Sequence, residues 1–315
     1  MTAPVLVTGA TGFVGGALVR RLVAAGHAVL CPVRRADPRL AALPGVTLVE
    51  TPLHDADLLR AALRGHAPGR VVHLAAAGVR LDERGAQSLV DGNVRTVAAL
   101  LQVAADAQWP LQRFVHVGSC AEYGLVAPAP VTEDAPLRPV SAYGGAKAAA
   151  SVMALGLAAA LGIPLTVARL FGTFGTGEAP QRLLPYVITQ LQRGQACRLT
   201  PGDQVRDLTW IGDVTEALLR VAEADVASGT TLHICSGQAR TVREVVERMA
   251  DLAGAPRALL HWGALPHRPD EPRVLVGDPS RLQQLTGWRA RTDLDTALGH
   301  MLAAATSARE PHALV

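Results

Sequence analysis

Lysine is nearly missing from this chain. Of the 30 residues that are Lys or Arg, only Lys147 is lysine, so arginine has taken every other basic position. Charge as a whole is scarce, with 18% Asp, Glu, Lys and Arg and a net of +3. A disordered chain would carry more charge, and a nucleic-acid binder a larger basic excess, so no nucleic-acid partner is expected. Aromatic residues make up 3%, too few to reveal a stacking platform for a particular base. The four cysteines, Cys31, Cys120, Cys197 and Cys235, show no CxxC spacing, which argues against a zinc site or a disulfide framework. No metal is expected, and the default setting is a reducing cytoplasm. The N-terminal MTAPVLVTGATGF has no basic region before a long apolar run, and no stretch reaches the ~18 uninterrupted apolar residues of a membrane span. The expectation is a soluble, unexported chain with no membrane partner.

What the chain does have is apolar bulk, 49% over 315 residues, enough for one large domain carrying a smaller lobe. Runs of strand length alternate with helical patterns: VLVTG (5 to 9), AVLCPV (28 to 33), VTLVE (46 to 50), VVHLA (71 to 75), FVHVGS (114 to 119), LTVARL (165 to 170) and later TLHICS (231 to 236). Continuous runs suit strands covered on both faces, and intervening helices imply right-handed crossovers. The expected fold class is α/β, with a doubly wound parallel sheet. After Arg169 the character changes, as Gly and Pro crowd FGTFGTGEAPQRLLP. A dinucleotide domain is expected over 1–172 with returns near 205–236, and a smaller lobe over 173–204 and 237–315. In the lobe a helix is expected over 183 to 193, and the last third reads as two helices, near 241 to 253 and 279 to 286.

GATGFVGG sets Gly9, Gly12 and Gly15 directly after a strand and at the mouth of a helix expected over about 12 to 25. Glycine there permits a tight turn and close approach to a pyrophosphate, while the helix N-terminus offers free N–H groups and a positive dipole end. The plainer alternative is a glycine turn needed only for packing; the flanking strand and helix favour the phosphate. Where an acid would grip the 2′-hydroxyl of NAD, at the end of the second strand, the chain reads PVRRADP. Arg34 and Arg35 can pair with a 2′-phosphate, so NADPH is favoured, with NAD possible. Two arginines merely solvating a loop is the bland alternative.

In SAYGGAKAA (141 to 149), Ser141 is placed to cap a helix, and Tyr143 and Lys147, four apart, share one face of it. A tyrosine with pKa near 10 is a reluctant acid or base at neutral pH. A nearby ammonium is expected to lower that pKa, and its compact head can also reach ribose hydroxyls. Ser119 follows a strand and so belongs at the C-terminal edge of the sheet, where its hydroxyl can bond a substrate carbonyl. Taken alone, each of the three has an ordinary structural alternative; together, behind a dinucleotide loop, they favour chemistry.

The set GATGFVG, HLAA (73 to 76), GSCAEYG, YGGAK, RLFGTFG (169 to 175) and VRDLTWIGDV (205 to 214), with DPSRLQQLTGW (278 to 288), resembles the extended short-chain dehydrogenase/reductases, in particular the epimerase/dehydratase group acting on nucleotide sugars. The resemblance implies a Rossmann-type sheet and a catalytic triad of Ser119, Tyr143 and Lys147. It implies cofactor contacts from Gly9, Thr11, Gly12, Phe13, Val14, Gly15, Leu74, Ala75 and Ala76 beside Tyr143 and Lys147. Substrate contacts would come from Ser119, Cys120, Tyr143, Arg206 and Arg268. A homodimer through helices near 94 to 105 and 145 to 161 is also implied. Three further positions read as structural: Asp213 with Glu216 as a capping box, Asp207 as an ion pair with Arg206, and Asn93 as a backbone-bonding residue.

The similar 4,6-dehydratases place an Asp and Glu pair where Cys120 and Ala121 stand, and related decarboxylases keep a glutamate at the Ala121 position; Glu122 is displaced by one residue. Reduction and epimerisation remain. The expected activity is NADPH-dependent reduction of a keto group, at C4, on a nucleotide-linked deoxysugar. A 4-epimerase with tightly held NAD is the nearest alternative, and a non-catalytic dinucleotide sensor or scaffold is one of another class. Gly172, where relatives often have asparagine, and PLHD (52 to 55), in place of the usual acidic segment, depart from the family pattern.

Overall fold

The seven apolar runs become the seven strands of one parallel sheet. In the computed structural model, which describes residues 3–79, 85–125, 130–268 and 271–307, the first six are β1 (Val5–Thr8), β2 (Val29–Val33), β3 (Val46–Glu50), β4 (Arg70–His73), β5 (Arg113–Ser119) and β6 (Leu165–Leu170). Three strands of the second lobe follow, β7 (Gly172–Phe174), β8 (Cys197–Arg198) and β9 (Val205–Trp210), before β10 (Thr231–Ile234) returns to the sheet. The spatial order is β10-β6-β5-β4-β1-β2-β3, parallel throughout. The order reverses between β1 and β4, and at such a switch point ligands bind beyond the carboxyl ends of the strands.

The continuous runs are apolar because both faces are covered. Every residue of β1 and β2 is buried, whereas β3, at the sheet edge, is only partly so. One face packs against helices Phe13–Ala24 and Ile211–Glu223 through Leu18, Leu22, Val214 and Leu218. The other packs against Ala56–Ala62, Thr96–Asp106 and Ala142–Leu161 through Leu59, Leu100, Leu101 and Ala154. Each fully buried leucine contributes about 2 kcal/mol by area. Ala142–Leu161 has a mean hydropathy of 1.4 over a length able to cross a membrane. It packs along β5, β6 and Thr96–Asp106 and carries the buried Lys147.

The lobe departs from expectation in four respects. Residues 205–210 do not return to the main sheet: β9 is the centre of a second one, parallel to β7, antiparallel to β11 (Ala239–Thr241) and, beyond β12 (Leu260–His261), parallel to β13 (Val274–Leu275). Its half-buried alternation marks it as a lobe strand, and the return begins at the helix Ile211–Glu223. The described residues of the last third hold three α-helices, Val242–Leu252, Ser280–Thr286 and Leu294–Ser307, not two. Residues 237–315 do not all belong to the lobe, because Leu282 and Trp288 join the core of the main sheet. Asp213 makes no capping box: it lies inside the first turn of its helix and accepts from the Thr292 N–H at 2.9 Å, while Glu216 pairs with Arg21.

Candidate active site

The glycine turn has the geometry of a phosphate cradle. Gly9 takes φ +68°, and a Cβ there would stand 2.8 Å from the Ala75 nitrogen, so the turn after β1 presses on the loop after β4. A Cβ on Gly15 would stand 2.1 Å from the Gly9 carbonyl oxygen, which lets the helix start directly against the turn. Gly12 caps that helix with no side-chain hydrogen bond, leaving its first N–H groups free for an anion. Thr11 and Gly12 are exposed at the tip, and Phe13 and Val14 half-buried in the first turn. Thr8, which no motif flagged, closes the switch point: its Oγ1 accepts from the N–H groups of Leu74 and Ala75 at 3.1 Å each. Leu74, Ala75 and Ala76 are thereby held beside the glycines, half-buried. The residues present fit a dinucleotide pyrophosphate.

Arg34 and Arg35 follow β2 as exposed guanidiniums, and neither has an ion pair among the described residues. The nearby carboxylate, Glu50 at the end of β3, accepts from the Ala36 N–H at 3.0 Å and so holds the loop that presents them. Asp55, of PLHD, is spent as a cap on the N–H groups of Asp57 and Leu58.

Ser119 ends β5, and Ser141 caps the next long helix by accepting from the Gly144 N–H at 3.0 Å. A Cβ on Gly144 would lie 2.4 Å from the Ala121 carbonyl oxygen. Glycine in YGGAK therefore lets the turn bearing Tyr143 close onto the turn bearing Ser119. Burial pushes the Tyr143 phenol up to about 12, and a hydrogen bond with Ser119 opposes that rise. The expected lowering of this pKa is thus not what the structure shows. Burial outweighs its neighbours' effects, and Lys147 Nζ donates to the Val117 carbonyl at 2.6 Å. Burial lowers the ammonium to about 8, with Glu122 holding it up. Beneath it lie His73 and His116, ring centroids 5.6 Å apart, both held neutral by burial and by the Lys147 charge.

Among the described residues no second acid and base accompany the serine. Burial pushes the Cys120 thiol up to about 12, against the pull of Arg206, and Glu122 points away from the cleft into an ion pair with Arg169. Arg206, on β9, lies near enough for its charge to act on the Cys120 thiol. It is not paired with Asp207: it pairs with Glu271 and donates to the Val205 carbonyl. Asp207 turns inward and accepts from the N–H groups of Ser236 and Gly237 at 2.8 Å each. Arg268 is exposed without an ion pair among the described residues; Pro269 and Asp270 beside it lie outside them.

Two further features escaped sequence reasoning. Arg182, just ahead of the helix Leu183–Gln192, is near enough to pull on the Tyr143 pKa and pairs with Glu178 at 3.1 Å. Its only signal was a basic residue at the end of the Gly and Pro-rich stretch. A π-helical turn, Val90–Arg95, precedes Thr96–Asp106. In it Asn93 does bond backbone, donating to the carbonyls of Leu89 at 2.8 Å and Ala77 at 3.2 Å.

Known proteins resemble the chain over most of its length. The model of the NAD dependent epimerase/dehydratase family matches residues 5–235. The chain is 30% identical to a UDP-glucose 4-epimerase of Streptomyces lividans, over 93% of its length and 94% of that protein's. It is also 30% identical to a GDP-6-deoxy-D-mannose reductase of Pseudomonas aeruginosa, over 96% and 97%. Among solved structures, MoeE5 in complex with UDP-glucuronic acid and NAD superposes with a TM-score of 0.86 at 30% identity, covering 97% of this chain and 100% of that one.

Proposed function

The chain belongs to the NAD dependent epimerase/dehydratase family and is a nucleotide-sugar-modifying enzyme, and from that premise we propose that it reduces a keto group, at C4, of a nucleotide-linked deoxysugar with NADPH. Arg34 and Arg35 carry the assignment: two exposed guanidiniums with no ion pair among the described residues follow the second strand, suited to a 2′-phosphate, and Glu50 nearby is already engaged by Ala36. The NAD seen with MoeE5 and the reductase relative support a dinucleotide on the glycine turn.

Bound NADPH would supply the hydride. Ser119 is placed to bond the carbonyl oxygen, and Tyr143 holds the proton that the developing alkoxide takes. Burial keeps the phenol protonated at neutral pH, the form able to give a proton to the developing alkoxide. Lys147 stands behind it as the cation able to face the nicotinamide ribose. Elimination of water is disfavoured because Cys120, Ala121 and the inward Glu122 provide no further acid and base at the cleft.

The test is NADPH oxidation against a panel of nucleotide-activated 4-keto-6-deoxyhexoses, with NADH as control. Turnover that prefers NADPH is the expected result. Inactivity toward the whole panel, with stoichiometric NAD released on denaturation, would overturn the reductase and point to a 4-epimerase, the second reading, which the Streptomyces lividans relative favours. We further propose a homodimer in a reducing cytoplasm. Val152 and Met153 stand 59% and 43% exposed on the helix Ala142–Leu161, an apolar face suited to a second copy, and sedimentation would show twice the chain mass.

A further inference from the structure

Behind the catalytic candidates lies a carboxylate to which no motif gave a role. Glu122 is 0% exposed. Its Oε1 accepts from the Ser119 N–H at 2.8 Å and from the Ser151 hydroxyl at 3.0 Å, and its Oε2 accepts from Arg169 Nε at 2.8 Å. Ser151 stands one helical turn beyond Lys147 on Ala142–Leu161. One side chain thus joins the end of β5, the helix carrying Tyr143 and Lys147, and β6. Glycine makes the space for it, since a Cβ on Gly118 would lie 2.6 Å from Glu122 Oε1. Arg169 also donates to the Tyr123 hydroxyl at 2.6 Å, and that oxygen meets His233 Nε2 at 2.6 Å, which anchors the acid from behind as far as β10.

We propose that Glu122 is a positioning residue of the site: it fixes Ser119 and the helix of Tyr143 and Lys147 in one register, and it supplies the buried negative charge that keeps Lys147 an ammonium. The inference rests on Ser119, Tyr143 and Lys147 being the reacting set. Lys147 is 4% exposed, and an ammonium buried that deeply without a counter-charge gives up its proton readily. The groups facing it can be named element by element. Glu122 comes from the turn after β5. Arg169, from β6, stands beyond Glu122 and is already paired with it. His73 on β4 and His116 on β5 are held neutral. Tyr143, on the same helix, and Cys120, beside Ser119, are kept protonated by burial. Of these, Glu122 is the charge that opposes proton loss from Lys147.

The lone lysine makes the test direct. Labelling the full-length protein with lysine carrying ¹³C at the ε carbon gives one lysine side-chain resonance, whose pH titration reports Lys147 with no substrate present. The wild-type midpoint is expected at about 8. Glu122→Gln, nearly isosteric but neutral, should move it to lower pH by about one unit and lower kcat about fivefold at pH 8 with KM unchanged. Because that variant leaves Arg169 buried without its partner, Glu122→Gln with Arg169→Gln is the companion, and a smaller downward shift is expected there because loss of the Arg169 charge offsets part of it. An unmoved midpoint in either folded variant overturns the proposal. So does loss of the fold in both, which would assign the acid to the scaffold alone. A wild-type protein that titrates as expected yet reduces no keto-sugar would overturn the functional reading and leave the role of Glu122 to the titration.

Discussion

Lys147 and Arg34 show two ways in which this cleft holds a cation. Lys147 is buried, bonded to the Val117 carbonyl, countered by Glu122 and carried on a helix packed along the main sheet. Arg34 stands exposed on the loop after β2 with no ion pair among the described residues, as does Arg35. The first arrangement is assembled before any ligand arrives, which is how charge and dipoles lower a barrier without reorganising. The second leaves its pairing to be completed by the ligand. Changes at the buried corner should therefore cost rate, and changes at the rim should cost affinity.

The largest effect should come from Tyr143→Phe, which removes the proton donor and little volume; kcat should fall by roughly 10²- to 10⁴-fold, with NADPH affinity by fluorescence titration nearly unchanged. Next is Lys147→Arg, charge-conserving but planar and larger in a closed space; a loss in kcat of about 10²-fold is expected, and near-wild-type turnover would show that only the charge matters. At the rim, Arg34→Ala with Arg35→Ala should raise the NADPH KM by about ten- to a hundredfold, with NADH unaffected, for two charge-assisted hydrogen bonds to a solvated phosphate.

The pH dependence separates rate from stability. With Lys147 at about 8, kcat should fall about tenfold between pH 7 and 9 as the ammonium is lost. Its effect on folding runs the other way. The folded pKa lies below the ordinary 10.5, so between those values the native chain binds fewer protons than the unfolded one. Stability from this group rises across that window, and the penalty for burying the charge is fully present below it. Denaturant titrations at pH 7 and 10 would show the sign. Smallest is Glu271→Gln, which releases Arg206 from its partner; substrate KM should change only a few-fold, as befits a partly exposed pair.

Legibility in the sequence followed locality. LTVARL and VTLVE coincide with β6 and β3 residue for residue, and the other runs end within one or two residues of their strands, because a strand buried on both faces writes its whole length in apolar letters. The glycine turn and the Ser141 cap were legible for the same reason, being set by neighbours in the chain. β9 was misplaced because its half-buried residues carry no such run. The two-residue strands β8, β12 and β13 exist only through distant partners. The same holds for the site. Tyr143 and Lys147 announce themselves by spacing, but the Glu122–Arg169 pair spans 47 positions, and the inward turn of Asp207 depends on Ser236, Gly237 and Gly277. The direction of the Tyr143 shift was missed because spacing reveals which residues are neighbours, not how much water reaches them.

The scarcity of lysine also makes the molecule its own unfolding gauge. A protease specific for lysine has one bond to cut, between Lys147 and Ala148, and that bond lies inside the helix Ala142–Leu161 with both residues buried. Scission requires the helix to leave the sheet, so cutting tracks how often the catalytic corner opens. A ligand that binds the closed site should slow it in proportion to its occupancy. The product would be two fragments, residues 1–147 and 148–315, and their appearance would time the opening without any assay of activity.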